Sequence, residues 1–157
     1  VLSVSGRLQP DLGGPLIRPG TTNDYNYRHD SNRRALYWPV LRNSLPDLFK
    51  VFDFANPSMV TGQRENSSTT PQALFLMNSD FVVEQARALA NRSEVVRQIS
   101  AKDKVRKLYE LVFSRQPEAI ELAAAVESLG AHPGDNVAPL DHLAQVLLMT
   151  NEFIYVE

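Results

Sequence analysis

The chain has 157 residues, of which 43% are hydrophobic and 22% charged, and this balance is typical of one folded domain rather than of a disordered segment. Its 16 Lys and Arg against 18 Asp and Glu give a formal net charge of −2, which argues against general electrostatic binding to nucleic acid or anionic lipid, so any anion site must be local. The absence of cysteine excludes disulfides, thiolate metal clusters and thiol nucleophiles, and no apolar run approaches the length of a membrane span.

The N-terminal part of the chain lacks a regular hydrophobic period. Val1 to Ser5 resemble the end of an apolar helix, with no starting Met and no cap before them, so we expect a truncated or processed N-terminus. Gly6 to Arg33 has the composition of a loop, with glycine and proline followed by a polar run. An irregular segment of about 28 residues is unusual in a small domain, and we therefore expect it to wrap over a surface or to belong to an interface.

Short elements are predicted next. Ala35 to Leu41 is a short apolar run that predicts a strand or extended segment, and Pro39 restricts such a strand to a sheet edge because proline has no N–H. Pro46 precedes a short predicted helix from Asp47 to Phe52. Asp53 to Ser68 is polar again and rich in turn formers.

Thr70 and Pro71 predict the start of a longer helix. The Thr hydroxyl can accept from a first-turn N–H, and proline at the first helical position loses no hydrogen bond. We expect this helix to run toward Ala90, although the polar residues 78–80 could divide it in two. Its predicted buried stripe comprises Leu74, Met77, Phe81, Ala86 and Leu89.

Two amphipathic helices follow. Ser100 and Asp103 form a capping-box-like pair ahead of the first, and Pro117 begins the second. Gly130 is expected to close the second helix in a left-handed conformation. The predicted apolar positions are Val105, Leu108, Tyr109 and Val112 in the first helix and Ile120, Ala123, Val126 and Leu129 in the second.

Pro139 begins a last predicted helix, which Asn151 is expected to end. Its apolar side comprises Leu140, Leu143, Val146 and Leu147. The fold class is therefore mainly α, a small antiparallel helical bundle with a long irregular N-terminal segment and at most a short edge strand. We interpret the chain as a single domain, the C-terminal part of a larger one, with a wrapping segment (1–34), short elements (35–68) and the bundle (70–157).

Catalytic fingerprints are absent from the sequence, which has no phosphate-binding glycine loop, zinc-protease helix, serine-hydrolase elbow or EF-hand loop. The best metal-ligand candidates are Asp24, His29 and Asp30, because imidazole and carboxylates in one polar loop can meet around a divalent ion. We favour a solvated loop instead, since metal sites need a closed ligand set with supporting hydrogen bonds. His132 and His142 are interpreted as surface residues.

An arginine cluster interleaved with aromatic residues is the main candidate for a binding site. It comprises Arg28, Arg33, Arg34 and Arg42 with Tyr25, Tyr27, Tyr37 and Trp38. Guanidinium groups bind sulfate, phosphate or carboxylate in a bidentate manner and stack on rings, so this pattern can bind an anion or a sugar. The alternative, which we rank first, is a set of ion pairs that fix the long loop, with partners Asp30, Asp47 and Asp53.

Several strings, together covering nearly the whole chain, match one family pattern. They are Ser5-Gly6-Arg7-Leu8 with Gly13-Gly14-Pro15; Arg33-Arg34 with Tyr37; Arg42 followed by Pro46; Phe52-Asp53; Arg64; Thr70-Pro71-Gln72-Ala73-Leu74 with Asn78 and Phe81; Ala86, Leu89 and Ala90; and Asn151-Glu152-Phe153. On these strings the chain resembles the large planctomycete-specific proteins whose conserved C-terminal domain has no known function. It is similar to the second half of that domain, and many members carry a Cys shortly before the Arg matched by Arg64, where this chain has none.

The resemblance implies an exported multidomain protein, located in the periplasm or at the cell surface. Members are often fused to a c-type cytochrome module, which makes a redox partner one implied role, and sometimes carry carbohydrate-binding-like inserts. The haem attachment motif C-x-x-C-H is absent here, so no cofactor is expected in this chain, and haem would belong to an upstream domain.

Three hypotheses follow. The leading one is a structural or interaction module that packs against the upstream part of the same protein and binds polysaccharide or another partner, without nucleic acid and without membrane insertion. The alternative is part of an extracytoplasmic enzyme acting on a sulfated or carboxylated glycan. Its cleft would be lined by Arg33, Arg34, Arg42, Asp53 and Arg64. In the third hypothesis the same residues form an ion-pair network that positions the long loop.

Overall fold

The structure is a computed structural model that describes residues 1–14, 16–17, 20–21, 27, 31–41, 43–55, 57–58, 70–130 and 138–155. Within these ranges the chain is mainly helical, with no strand and one isolated parallel bridge between Gln9 and Arg33. The helices are α1 (Asp47–Val51), α2 (Thr70–Asn78), α3 (Asp80–Ala90), α4 (Ser93–Val96), α5 (Ala101–Phe113), α6 (Ala119–Gly130), α7 (Pro139–Leu148) and α8 (Asn151–Ile154). The predicted mainly α fold is confirmed.

The chain divides into two compact units. The helical unit consists of Val1–Arg7 together with Leu76–Glu157, and the loop unit consists of Leu8–Phe75. The division falls within α2, so the last residues of that helix belong to the helical unit.

The loop unit contains a 3₁₀ turn, Ala35–Tyr37, where the sequence predicted a strand or extended segment. This prediction was wrong because the backbone hydrogen bonds of the run are made locally. The N–H of Tyr37 donates to the Arg34 carbonyl at 2.9 Å, and the N–H of Trp38 donates to the Ala35 carbonyl at 3.0 Å. Leu36 is 85% exposed, so the apolar run does not mark a buried strand face.

The predicted short helix after Pro46 is confirmed as α1, and aromatic rings surround it. Phe49 stacks on Phe54 with ring centroids 4.8 Å apart and lies 5.9 Å from Trp38, while Phe52 meets Phe75 edge-on at 6.2 Å. Aromatic pairs at these distances contribute about 0.5–1.5 kcal/mol each beyond the area they bury. This aromatic cluster is the apolar centre of the loop unit.

The core of the helical unit lies between α3, α5 and α7, with α4, α6 and α8 packed around them. Leu89, Leu108 and Leu148 are completely buried there. The helix expected from Thr70 toward Ala90 is divided in two, which is the alternative that the polar residues 78–80 left open: α2 ends at Asn78 and α3 begins at Asp80 after Ser79. The predicted cap of α5 is also confirmed, because the Asp103 N–H donates to the Ser100 hydroxyl oxygen at 3.1 Å.

Several predicted buried stripes are partly wrong. Leu74 and Met77 in α2 and Val146 in α7 are exposed, and Ile120 in α6 is 82% exposed. Helix α6 is apolar on most of its circumference, so two sets of positions satisfy the helical period and periodicity cannot choose between them. The residues of α6 that pack on the core are Leu122, Ala125, Val126 and Leu129.

Two predicted helix ends were also wrong. Gly130 is the last residue of α6 and is not left-handed, whereas the left-handed residue in this region is Ser114, which follows α5 with a φ of 58°. Asn151 begins α8 rather than ending the helix before it, and Thr150 precedes it in an extended conformation. A polar residue after an apolar helix suits either role, because Asn is favoured at both helix ends.

Residues 1–7 have the hydrogen-bond pattern of a helix C-terminus, the Schellman motif, and we call them the N-terminal turn. The N–H of Arg7 donates to the Leu2 carbonyl at 3.1 Å, and the N–H of Gly6 donates to the Ser3 carbonyl at 3.1 Å. The motif requires a left-handed residue, and Gly6 provides it with a φ of 75°. The local conformation therefore agrees with the interpretation of Val1 to Ser5 as a helix end.

Candidate functional site

The guanidinium of Arg33 is bound by the loop unit's own backbone. Its Nη2 donates to the carbonyls of Asp11 at 3.0 Å and Gly13 at 2.5 Å, and its Nη1 lies 3.5 Å from the Gly14 carbonyl. On its other side the guanidinium carbon lies 4.5 Å from the centre of the Tyr37 ring, within the range of a cation–π contact. Arg33 therefore joins three carbonyls of the glycine loop to the 3₁₀ turn.

The two glycines allow the backbone to adopt the conformation in which these carbonyls face Arg33. Gly13 and Gly14 have φ angles of 80° and 73°, a backbone conformation that other residues adopt only with strain. The backbone bridge between Gln9 and Arg33, with the Gln9 N–H donating to the Asn32 carbonyl at 3.0 Å, brings the two segments side by side. The sequence strings with Gly13-Gly14 and Arg33-Arg34 are thus parts of one structural arrangement.

The other predicted residues of the cluster are placed differently. Arg34 precedes the 3₁₀ turn and its side chain is exposed. Asp53 follows α1 with a φ of 53°, a left-handed conformation in which Asp is one of the few side chains that occur readily. Asp47, a predicted arginine partner, forms a 2.9 Å ion pair with Lys50 instead. Within the described ranges, the structure therefore brings together only Arg33 and Tyr37 of this cluster.

The remaining site predictions fall partly outside the described residues. Those that lie outside are Asp24, Tyr25, Arg28, His29, Asp30, Arg42, Arg64 and His132. His142 lies on α7 and is exposed. Within the described part of the chain, no group of three or more His, Asp or Glu is arranged to hold a metal ion.

The helix-start residues Thr70, Pro71, Gln72 and Asn78 all lie in α2. Thr70 and Pro71 are its first two residues, and Asn78 is its last. Gln72 is buried, and its amide donates to the Val51 carbonyl at 3.1 Å, so it satisfies an end carbonyl of α1. This hydrogen bond joins the start of α2 to the end of α1.

Sequence reasoning missed an arginine hub in the helical unit. Arg115 forms bidentate ion pairs with Glu121, at 2.7 and 2.8 Å, and with Glu152, also at 2.7 and 2.8 Å. Its guanidinium also lies 5.5 Å from the ring centre of Tyr109 and 5.4 Å from that of Phe113. We call Arg115, Glu121 and Glu152 the Arg115 hub, which connects the α5–α6 turn with α8.

The hub lowers the pKa of its carboxyl groups. Hydrogen bonds from Arg115, and then one from the Glu118 N–H at 2.7 Å, lower the pKa of Glu121 to about 2. Arg115 also lowers the pKa of Glu152 and has its own pKa raised. The Glu118 contact is half of a capping box at the start of α6, so a Glu three positions into the helix was the available sequence signal.

A buried polar pair fixes the N-terminal turn in the helical unit. The Ser5 hydroxyl donates to Gln85 Oε1 at 2.7 Å, and both residues are buried. Arg92 donates to the Val4 carbonyl at 2.8 Å and is held by Glu94 at 2.7 Å. Residues 1–7 are thereby attached to α3 and to the start of α4 by polar contacts as well as by the packing of Val4 on the core.

The charged groups of Arg33, of the Arg115 hub and of Arg92 all bind the backbone or the side chains of the chain itself. No helix in the described ranges is long and apolar enough to cross a membrane. Among known proteins, the family model PSD1, described as a protein of unknown function (DUF1553), matches residues 1–129, which is more than half of the chain. No curated protein and no solved structure matches.

Proposed function

The chain belongs to the DUF1553 family of proteins of unknown function. We propose that it is a structural and interaction module, and that it is part of a larger exported protein, as the resemblance implies. The observation that supports this most directly is the environment of Arg33. The central guanidinium of the predicted anion site donates to backbone carbonyls of residues 11–14. A ligand would have to replace these contacts before it could bind there.

The same contacts leave an outward-facing set of residues for a partner. Arg34 and Leu36 are both exposed at the 3₁₀ turn that Arg33 fixes through Tyr37, and Leu12 is exposed in the loop that it fixes through Asp11 and Gly13. A cation beside apolar side chains on a fixed backbone is suited to an acidic polysaccharide, since Arg binds sulfate or carboxylate and the apolar groups contact sugar faces. Arg33 would then position the surface, and Arg34 would contact the ligand.

The matched pair Arg33→Ala and Arg34→Ala tests this division of roles. Binding to dextran sulfate and to neutral dextran is measured with thermal unfolding of both variants. We expect Arg33→Ala to lower the unfolding temperature, because it removes the hydrogen bonds from the guanidinium to the backbone carbonyls of the glycine loop. Arg34→Ala should unfold like the native chain and lose binding to dextran sulfate only.

Other outcomes would contradict the proposal. If Arg33→Ala left stability unchanged and abolished binding, Arg33 would be a ligand group. If neither variant altered binding to the sulfated polymer, the surface at the 3₁₀ turn would have no role in it. Sustained release of reducing sugar from a sulfated or carboxylated glycan would refute a non-catalytic module and favour the enzyme hypothesis.

A further inference from the structure

Positive charge is concentrated around the junction of α4 and α5, although the chain as a whole is slightly acidic. Residues 92–107 contain six basic and two acidic residues, a net charge of +4 in a chain of net −2. The basic residues are Arg92, Arg97, Lys102, Lys104, Arg106 and Lys107, and the acidic ones are Glu94 and Asp103. The rest of the chain therefore carries −6, and this short segment is the local anion-attracting region that the composition left open.

Half of these cations are already paired. Arg92 pairs with Glu94 at 2.7 Å, Arg106 with Asp103 at 3.1 Å, and Lys107 with Glu110 at 3.0 Å. Both acidic groups of the segment are thus neutralised by their own arginine. The three remaining cations are Arg97, Lys102 and Lys104. Their side chains make no ion pair or hydrogen bond within the part of the chain that the structure describes.

Two apolar side chains protrude among these cations. Ile99 is 99% exposed and Val96 is 56% exposed. We call residues 96–104 the basic tip. Because a chain advances at most about 3.6 Å per residue, Arg97 and Lys102 lie within a short reach of Ile99 on either side of it.

The lysines of the basic tip do not serve the local fold. Lys102 and Lys104 lie in or next to the first turn of α5, at the positive end of the helix dipole, where cations are unfavourable. The cap of that helix is made by Ser100 and Asp103 instead. The local fold does not account for a protruding isoleucine beside unpaired lysines at a helix start, and we therefore expect these residues to contact an external partner.

We propose that the basic tip binds the surface of an anionic lipid bilayer. Ile99 and Val96 would enter the headgroup region, while Arg97, Lys102 and Lys104 contact lipid phosphates and carboxylates. Ile99 protrudes from the surface because almost nothing covers it. A bilayer can accept a protruding side chain without a preformed pocket, whereas an acidic protein partner would need such a pocket. The basic tip would then lie at the membrane surface. This site is in the helical unit and is independent of the function proposed for the loop unit.

The test is sedimentation of the intact chain with vesicles of phosphatidylcholine, with and without phosphatidylserine. We expect binding only when phosphatidylserine is present, and weaker binding at high salt because the interaction is partly electrostatic. Ile99→Ser should reduce the partition coefficient about tenfold, since it removes one buried apolar side chain. Lys102→Ala should reduce it about fivefold, since each basic residue near an anionic surface contributes about a factor of five.

Ile120→Ser is the matched control. Ile120 is also exposed, at 82%, but it lies on α6 between Glu118 and Glu121, so it should not enter an anionic surface. Ile120→Ser should bind vesicles like the native chain, and melts of both isoleucine variants should match the native one. Absence of binding to phosphatidylserine vesicles, equal loss in both variants, or binding to polyglutamate without binding to vesicles would each overturn the proposal.

Discussion

Replacing Ser5 by alanine tests whether the N-terminal turn is an integral part of the helical unit. Ser5 is 3% exposed and Gln85 is 2% exposed, and the hydroxyl donates to the amide oxygen at 2.7 Å. The substitution leaves that oxygen buried without this donor, which costs about 1–3 kcal/mol. We expect the free energy of unfolding to fall by about 2 kcal/mol, measured by urea denaturation followed by circular dichroism.

A double-mutant cycle separates the hydrogen bond from other effects of the change. Gln85→Met keeps a similar volume and removes the oxygen, so the double variant strands no polar group, and it should lose less stability than the sum of the single variants. Ser93→Ala is the control, because Ser93 is exposed and its change should stay within about 0.5 kcal/mol. If Ser5→Ala were as mild as Ser93→Ala, or if the cycle were additive, the docking of residues 1–7 would be refuted.

Three further predictions concern the hub and the glycine loop. Arg115→Ala should speed amide hydrogen exchange in α8, because Arg115 binds Glu152 of α8, and should leave exchange in α3 unchanged. Equal exchange rates in α8 of both proteins would show that packing alone holds α8 in place. The pKa of Glu121 is about 2, which is below the value of this carboxyl in the unfolded chain. The stabilisation that ionised Glu121 gives the folded state is therefore present above about pH 4.5 and is lost as the pH falls through about 2. We expect the difference in melting temperature between the native chain and Arg115→Ala to disappear over that pH range. Gly13→Ala should cost about 1 kcal/mol through backbone strain alone, since a Cβ there meets nothing within 4 Å, whereas Gly130→Ala, at an ordinary helical position, should not destabilise.

The elements that sequence predicted well are those whose signals are local. Helix α5 has a capping residue at its start and apolar residues at three- and four-residue spacing, and both features are confirmed. The division after Asn78 was an alternative that three polar residues in succession left open beside one continuous helix. The α6 face was predicted only in part, with Val126 and Leu129 correct, because a helix with apolar residues on most sides has no unique period until its neighbours are known.

The arrangements that sequence could not reveal join distant positions. Arg115 and Glu152 are 37 residues apart, and Ser5 and Gln85 are 80 residues apart. Neither a period nor a motif spacing encodes such a pair. Of the predicted arginine cluster, Arg33 and Tyr37 are in contact, but the anions expected around Arg33 are replaced by backbone carbonyls, which no sequence pattern distinguishes from carboxylates.

The two-part construction of the helical unit bears on how the chain acquires its structure during synthesis. Residues 1–7 are synthesised before their partners Gln85 and Arg92, which come only after all of Leu8–Phe75 has been made. Docking of the N-terminal turn on these partners is therefore a late, long-range event that closes a large loop. Contacts of this kind slow folding, so the helices from α3 onward should assemble first and receive the N-terminal turn last.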